Sequence, residues 1–365
     1  MMKISVISSY SYVQHHNNYG ALLQYYALQT YLKKRGHYTE WIRTKGSSVS
    51  EQTSFHTVYL KFRHPNRLIS ELKTFYYRCQ FMLFINRFLN LTKENYNSIE
   101  ELNQFPPISD YYITGSDQVW AGCSPKNFLT FVSDGNKKIA YAASFGEDKI
   151  SDEKKTIIEP WLKSFKAISV RESSGVDICK SIGIKAVHLL DPTLLISPQE
   201  YPMVKRLREF KPYYFCYFLN VNTSKEIFFD KIKEYAYANI KDLKVVAIQG
   251  AEKCIDRKYR VNPTPEAWLT YVNNCKGVFT NSFHGTLFAI LFHKPFVVIL
   301  QKGETAIQNG RFRSILDIFE LSNRIIDNPQ NMNDIMNQPI DWVKVDRIRA
   351  SWIQKSDDFF NSIGL

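Results

Sequence analysis

Short apolar runs alternate along the chain with longer segments in which apolar residues recur every three or four positions. The runs suit buried strands, and the periodic segments suit helices with one face on a core. The pattern predicts strands at Ile4–Ser8, Tyr38–Arg43, Tyr111–Thr114, Ile139–Ala143, Ala167–Val170 and Val187–Leu190. A helix is predicted over Ala21–Arg35, with Ala21, Tyr25, Leu28 and Leu32 on one face. Lys33, Lys34 and Arg35 in its last turn suit the helix dipole, and Gly36 ends it. Ser173–Ile182 predicts a short helix stopped by Gly183.

A second series follows. Strands are predicted at Tyr213–Leu219, Leu243–Gln249, Gly277–Thr280 and Phe296–Leu300, and helices at Lys225–Ala238 and Thr286–Phe292. Thr264 caps another helix that has Pro265 at its first position, and Trp342–Phe360 is a helical tail. Strands alternating with helices predict parallel sheets with crossover helices. The expected fold class is therefore α/β, with two Rossmann-like lobes facing across a cleft. Prolines at 192, 198 and 202 place the boundary near Asp191–Tyr201. The domains predicted are an N-terminal lobe over 1–195, a C-terminal lobe over 196–340, and a terminal helix over 341–365 free to pack back on the first lobe. Phe62–Leu91 interrupts the first series as a basic, aromatic helical insertion.

Of the 365 residues, 44% are hydrophobic, enough for two full cores, and the net charge is +12. That charge fits nucleic acid, an anionic membrane surface or a small anionic substrate. No basic run and no recognition motif supports nucleic acid, which is excluded as a partner. The six cysteines form no C-x-x-C pair and no zinc-ligand spacing, so neither a disulfide framework nor a metal site is expected. Scattered thiols, a strand-like start and no apolar run of membrane-spanning length predict a cytoplasmic protein.

In open α/β sheets ligands bind beyond the carboxyl ends of the strands, so the loops there carry the candidate chemistry. The loop after Ile4–Ser8 holds Gln14, His15, His16, Asn17, Asn18 and Gly20 and lacks the G-x-G-x-x-G dinucleotide fingerprint. Asn17 and Asn18 either present polar groups to a ligand or only cap the next helix. After Tyr111–Thr114 come Ser116, Asp117 and Gln118, a carboxylate and an amide suited to sugar hydroxyls; the plainer reading is a turn cap. Arg171, at the end of Ala167–Val170, either forks onto an anion or pairs with Glu172. Ser282, His284, Gly285 and Thr286 join a strand to a helix N-terminus, a ready anion site. His is the side chain whose charge changes near neutral pH, which suits general acid–base work; its plainer role is a buried structural ring. Lys294 and the stretch GRFR at 310–313, with Arg313, offer further cations that could reach the same cleft. These residues predict a cationic, His-containing cleft between the lobes, and they do not separate phosphoenolpyruvate from a nucleotide sugar.

Four ordered stretches carry a family resemblance: NNYGALLQYYALQTYLKKRGH at 17–37, ITGSDQVW at 113–120, ISVRESSGVDICKSIGIKAVHLLDPTLL at 168–195, and FTNSFHGTLFAILFHKPFVVI at 279–299. Together they resemble the polysaccharide pyruvyl transferase family. The resemblance implies a fold similar to the glycosyltransferase-B architecture, phosphoenolpyruvate as donor substrate and no other cofactor or metal. It also implies a sugar acceptor, free or carried on a lipid, in surface or capsular polysaccharide biosynthesis. Arg171 and His284 match the family's donor-binding Arg and its donor-binding, catalytic His. Several relatives carry Arg-Leu-His where this chain has Ser282, Phe283 and His284, so the missing cation is expected from Lys294 or Arg313. On this reading His284 is the acid–base residue and Asp117 accepts a proton from, or orients, the acceptor hydroxyl. Arg171, Ser282, Gly285, Thr286, Lys294 and Arg313 bind the donor, and Asn17, Asn18, Ser116 and Gln118 the acceptor.

Two alternatives stay open: a glycosyltransferase of the same architecture using a nucleotide sugar, and a sugar-binding member without catalysis. The insertion has two readings as well. Arg67, Lys73, Arg78 and Arg87, interleaved with Phe75, Tyr76, Phe81, Leu83 and Phe84, suit a helix lying on the inner face of the cell membrane. The same residues suit a helical arm whose aromatics pack on the first lobe.

Overall fold

The structure is a computed structural model that describes residues 1–8, 18–44, 65–205, 207, 211–248 and 250–365. Seven parallel strands form the first sheet: β1 (Lys3–Ile7), β2 (Tyr38–Thr44), β3 (Leu91–Tyr96), β4 (Tyr111–Thr114), β5 (Lys138–Ala143), β6 (Ala167–Val170) and β7 (Val187–His188). Their spatial order is β3-β2-β1-β4-β5-β6-β7. Five parallel strands form the second: β8 (Tyr214–Leu219), β9 (Leu243–Ile248), β10 (Val278–Thr280), β11 (Phe296–Ile299) and β12 (Ile325–Ile326), ordered β12-β11-β10-β8-β9. All six residues of β8, YFCYFL, are buried, as a parallel strand covered on both faces should be.

Each order reverses direction once, in the first sheet between β1 and β4 and in the second between β8 and β10. At such a switch point successive crossovers leave on opposite faces, which opens a crevice beyond the strand ends. The first helix, Tyr19–Lys34, follows β1, and the helix Phe283–Leu291 follows β10. Leu22, Leu28, Phe283, Leu287 and Phe288 belong to one apolar cluster that runs through both lobes. Tyr19 stacks on Trp268 with ring centroids 5.4 Å apart, and its hydroxyl donates to the Pro263 carbonyl at 2.8 Å. The two crevices are therefore held face to face.

The terminal helix Trp342–Ser362 straps both lobes. Asp357 accepts from Arg35 Nη1 at 2.7 Å, and Phe360 stacks on Tyr141 at 5.0 Å. Arg349 donates to the carbonyls of Leu194 and Ile196, while Asp346 meets His293 of the second lobe at 2.9 Å.

Three elements depart from the pattern-based reading. The helix expected over Lys225–Ala238 is split, because Phe228 takes a left-handed φ of 52° between a 3-10 turn at Ser224–Ile227 and the helix Phe229–Asn239. The helix expected from Thr286 starts one turn earlier, at Phe283, because Ser282 caps it. The edge strand β3, LTKENY, was not predicted: it begins at Leu91, the last residue of the insertion, and runs on beyond it. Of the insertion, Phe62–His64 lie outside the described residues, and Pro65–Phe88 form one helix. Phe81, Phe84 and Ile85 are buried, with Phe81 5.1 Å from Tyr19 and Phe84 6.0 Å from Tyr26. Arg78 and Arg87 are exposed. This half of the helix packs as an arm on the first lobe. No described helix is long and apolar enough to cross a membrane.

Candidate active site

The facing crevices enclose a cleft of about 210 Å³ lined by Asn18, Asp117, Gln118, Leu219, Asn220, Ser282, Phe283, His284, Gln301, Gln308 and Arg311. Asn18 and Ser282 are the caps of the two helices that flank it. Asn18 accepts from the Ala21 amide at 3.1 Å, and Ser282 Oγ accepts from the Gly285 amide at 3.3 Å. Asp117 sits at φ 67°, a left-handed conformation that Asp tolerates better than most residues. Asn281 ties the second crevice together, accepting from the Leu219 amide and donating to the Leu219 carbonyl.

Behind the cleft lies a buried ionic cluster. Arg171 Nε donates to Glu172 at 2.8 Å, and its Nη1 meets Asp191 at 3.2 Å and Asp117 at 3.4 Å. Its guanidinium lies 4.2 Å from the centre of the Phe283 ring. Asp191 is fully buried: Oδ1 accepts from the Thr193 amide and hydroxyl, and Oδ2 from the Ser116 hydroxyl at 3.0 Å. His284 Nε2 stands 3.6 Å from the same Oδ2, a charge-pair distance just beyond hydrogen-bond range. On the other side, a Cβ built on Gly20 would lie 2.2 Å from His284 Nδ1. The imidazole is thus wedged between the first helix and a buried carboxylate.

Burial pushes the Asp191 carboxyl up, but His284 and Arg171 beside it and the Thr193 amide bring it well below the usual carboxylate range. Burial likewise opposes the charge on Asp117, and Arg171, His284 and Arg311 outweigh it, leaving a net shift downward. Both carboxylates are therefore ionised at neutral pH. For Arg311 the balance differs. Burial and the neighbouring Arg171 push it down to about 10, against weaker support from Asp117 and Glu172.

The sequence-predicted residues divide accordingly. His284, Asp117, Ser282, Asn18 and Gln118 line one cleft, whereas Asn17 lies outside the described residues. Arg171 sits behind the wall, its side chain 1% exposed. Ser116 is not on the acceptor side, because it is fully buried and donates to Ala142 and Asp191. Gly285 and Thr286 offer no free amide to an anion. The Gly285 amide serves Ser282, the Thr286 amide and hydroxyl serve the Ser282 carbonyl, and a Cβ on Gly285 would lie 2.4 Å from Thr280 Oγ1. Lys294 follows the far end of the helix that begins at Phe283, and its charge is felt by Cys275 and Lys276 rather than by the cleft. Arg313 is exposed. It stands two residues beyond Arg311 on the helix Gly310–Ile318, and side chains two apart on a helix point to opposite sides.

Asp191 and Gln301 were missed, and of the GRFR stretch it is Arg311, not Arg313, that lines the cleft. Asp191 stood in the sequence as the first residue of D-P-T-L-L after a strand, a cap signal that also marks a strand end. Arg311 stood in GRFR, where the buried Phe312 sets the helix face. Gln301 follows a plain apolar strand and carried no signal. Among the described residues, no group of three or more His, Cys, Asp or Glu side chains is arranged to hold a metal ion.

Comparison with solved structures gives the fold independently. UDP-GlcNAc 2-epimerase from Methanocaldococcus jannaschii superposes with a TM-score of 0.54 at 12% identity, covering 92% of this chain and 93% of that one. The Rickettsia bellii UDP-N-acetylglucosamine 2-epimerase gives 0.50 at 9% identity over 99% and 98%. Arabidopsis thaliana UGT89C1, solved with UDP, gives 0.51 at 10% identity over the full length of both chains. These similarities show two Rossmann-like lobes of the glycosyltransferase-B kind. No curated protein matches the sequence. The family model for polysaccharide pyruvyl transferases matches residues 18–302, a span that begins at the cap of the first helix and contains Asp117, Asp191 and His284; the chain belongs to the polysaccharide pyruvyl transferase family.

Proposed function

We propose that the cleft transfers the pyruvyl group of phosphoenolpyruvate to two hydroxyls of a sugar, forming a ketal and releasing inorganic phosphate. What supports an anionic donor, beyond the family, is the cleft itself. Among the described residues, buried donors of two side chains that line the cleft, Gln118 (Nε2) and Arg311 (Nε), have no hydrogen-bond partner. Unmade hydrogen bonds of buried donors cost ~1–3 kcal/mol each, so donors gathered around one cleft suit an anion.

The chemistry requires a proton at C3 of the enol, which leaves C2 an oxocarbenium-like centre. One sugar hydroxyl then bonds to C2 and gives up its proton. The second hydroxyl bonds to C2 as the C2–O bond to phosphate breaks, and its proton leaves with the phosphate. His284 is the residue for these transfers, with Asp191 holding its ring. Positioned acid–base groups contribute on the order of 10²–10⁴-fold. Asp117, held ionised by Arg171, is too weak a base to take the proton far and instead orients the attacking hydroxyl, with Gln118 and Asn18 beside it. The positive end of the helix that begins at Phe283 suits the developing phosphate charge.

The test is turnover. Phosphoenolpyruvate is incubated with the protein and a panel of free and lipid-linked sugars; released phosphate and the mass of the acceptor are followed. Phosphate release matched by a ketal of pyruvic acid on the acceptor supports the reading. Sugar transfer from a nucleotide donor, without any use of phosphoenolpyruvate, overturns it.

A further inference from the structure

Arg171, the cation to which the sequence resemblance gives the donor, is committed elsewhere. Three carboxylates, those of Glu172, Asp191 and Asp117, lie within 2.8–3.4 Å of its nitrogens, and it is absent from the cleft lining. Its charge is neutralised behind the wall, and one nitrogen, Nη2, has no hydrogen-bond partner among the described residues. Arg311 presents the opposite case. It lines the cleft, and among the described residues no carboxylate forms an ion pair with it and its Nε has no hydrogen-bond partner. Its guanidinium lies 5.9 Å from the centre of the Phe283 ring and 5.4 Å from that of Phe312. Two aromatic faces orient a guanidinium without using its hydrogen bonds.

The backbone around Arg311 is also fixed. Asn309 accepts from the Gln301 amide at 3.0 Å and donates to the Gln301 carbonyl at 2.8 Å. This clamp ties the loop after β11 to the start of the helix Gly310–Ile318. Gln301, 5% exposed, lines the same cleft. A cation with a buried N–H unspent among the described residues, set on a rigid mount and lining the same cleft as the proposed proton-transfer residue, is built for an anion that enters from solution. It also meets the need created by Ser282, which brings a hydroxyl to the head of the helix and spends it on the cap.

We propose that Arg311 is the donor-anion clamp of this cleft, and that Arg171 is a positioning residue which holds Asp117 and Asp191 from behind. The clamp takes a carboxylate or phosphate group through the guanidinium fork. The assignment rests on the proposed function for the identity of the donor, but not for the existence of an anion site.

Calorimetric titration of the intact protein with phosphoenolpyruvate, UDP and inorganic phosphate, each alone, separates the two claims. The parent is compared with Arg311→Ala, Arg311→Lys, Arg313→Ala and Lys294→Ala, each checked for fold by circular dichroism. Loss of a charge-assisted hydrogen bond predicts that Arg311→Ala binds phosphoenolpyruvate about 10- to 100-fold more weakly. Arg311→Lys should fall between Ala and the parent, and the Arg313 and Lys294 variants should bind as the parent does. If Arg311→Ala does not fold, the Lys variant carries the test, and parental affinity in it overturns the fork. If the parent takes UDP and not phosphoenolpyruvate, the donor is wrong, and weaker UDP binding in the Arg311 variants still supports the clamp. Unchanged affinity of Arg311→Ala for whichever anion the parent binds overturns it, as does a parent that binds none of the three.

Discussion

Replacing Asp191 tests the buried cluster where it is most tightly specified. Its carboxylate accepts from the Thr193 amide at 3.0 Å, the Thr193 hydroxyl at 2.8 Å, the Ser116 hydroxyl at 3.0 Å and Arg171 Nη1 at 3.2 Å. In Asp191→Ala all four are lost, and Arg171 Nη1 keeps only the 3.4 Å contact to Asp117. Leaving a buried charge short of its partner costs ~3–5 kcal/mol, a large share of the ~5–15 kcal/mol that holds a typical domain together. Asp191→Asn is the finer probe. Its amide oxygen still serves Thr193, but its NH2 faces Arg171 and His284, donor against donor. We expect ~1.5–3 kcal/mol of lost stability, the scale of one charged hydrogen bond, and turnover lower by about 10²-fold because the His284 ring loses its orienting carboxylate. The effect also has a pH signature. The Asp191 carboxyl lies below its ordinary value in the folded protein, so its charge stabilises the fold above the unfolded value near ~3.9. That contribution is lost as pH falls further toward the folded value. Urea unfolding from pH 7 down to about pH 3 should therefore show an acid slope in the parent that is shallower in Asp191→Asn. A variant within ~0.5 kcal/mol of the parent, with parental turnover, would refute both the cluster and its role.

His284→Ala should fold and lose on the order of 10²-fold or more in turnover; near-normal phosphate release would remove His284 from the mechanism. Gly20→Ala separates helix stability from catalysis. Ala favours a helix by ~1 kcal/mol over Gly, yet its Cβ falls 2.2 Å from His284 Nδ1, so the ring must move; thermal unfolding near the parent's with turnover well below it is expected, and unchanged turnover would show that the wedge does not hold the ring. Arg171→Lys replaces a fork that serves three carboxylates with a point charge, so kcat should fall while donor affinity stays within about tenfold, and a larger loss of affinity would return Arg171 to the donor. Because Phe81 and Phe84 pack inward, co-sedimentation with anionic vesicles at low salt should be weak and indifferent to Arg78→Gln and Arg87→Gln; binding abolished by those changes would restore the interfacial role of the arm.

Much of the fold was legible because parallel strands buried on both faces leave continuous apolar runs, as in Tyr213–Leu219 and Phe296–Leu300. The edge strand β3 was not, since LTKENY lies at the sheet margin with only Thr92 and Tyr96 buried. Phe228 broke a predicted helix through a left-handed turn that no local residue type announces. For the cleft, strand-end position located Asp117, Gln118, Ser282 and His284, because the switch points of both sheets lie just there. Side-chain direction was beyond the pattern. Ser116 and Asp117 are neighbours, yet one is buried against Asp191 and the other lines the cleft. Arg311 and Arg313 share a helix turn and face opposite ways. Asp191 reads as a cap before proline, and only the approach of Arg171, Ser116 and His284 from three distant segments makes it the centre of the cluster.

The central claim is that phosphoenolpyruvate binds between the two switch points, with its reacting carbons at His284. A crystal structure of the protein soaked with phosphoenolpyruvate tests it most directly. The account predicts the ligand in the cleft lined by Asn18, Gln118, Ser282 and His284, an anionic group within hydrogen-bond distance of Arg311, and the vinyl carbons facing the imidazole. Phosphoenolpyruvate bound elsewhere, or a cleft that admits UDP and excludes phosphoenolpyruvate, would contradict it.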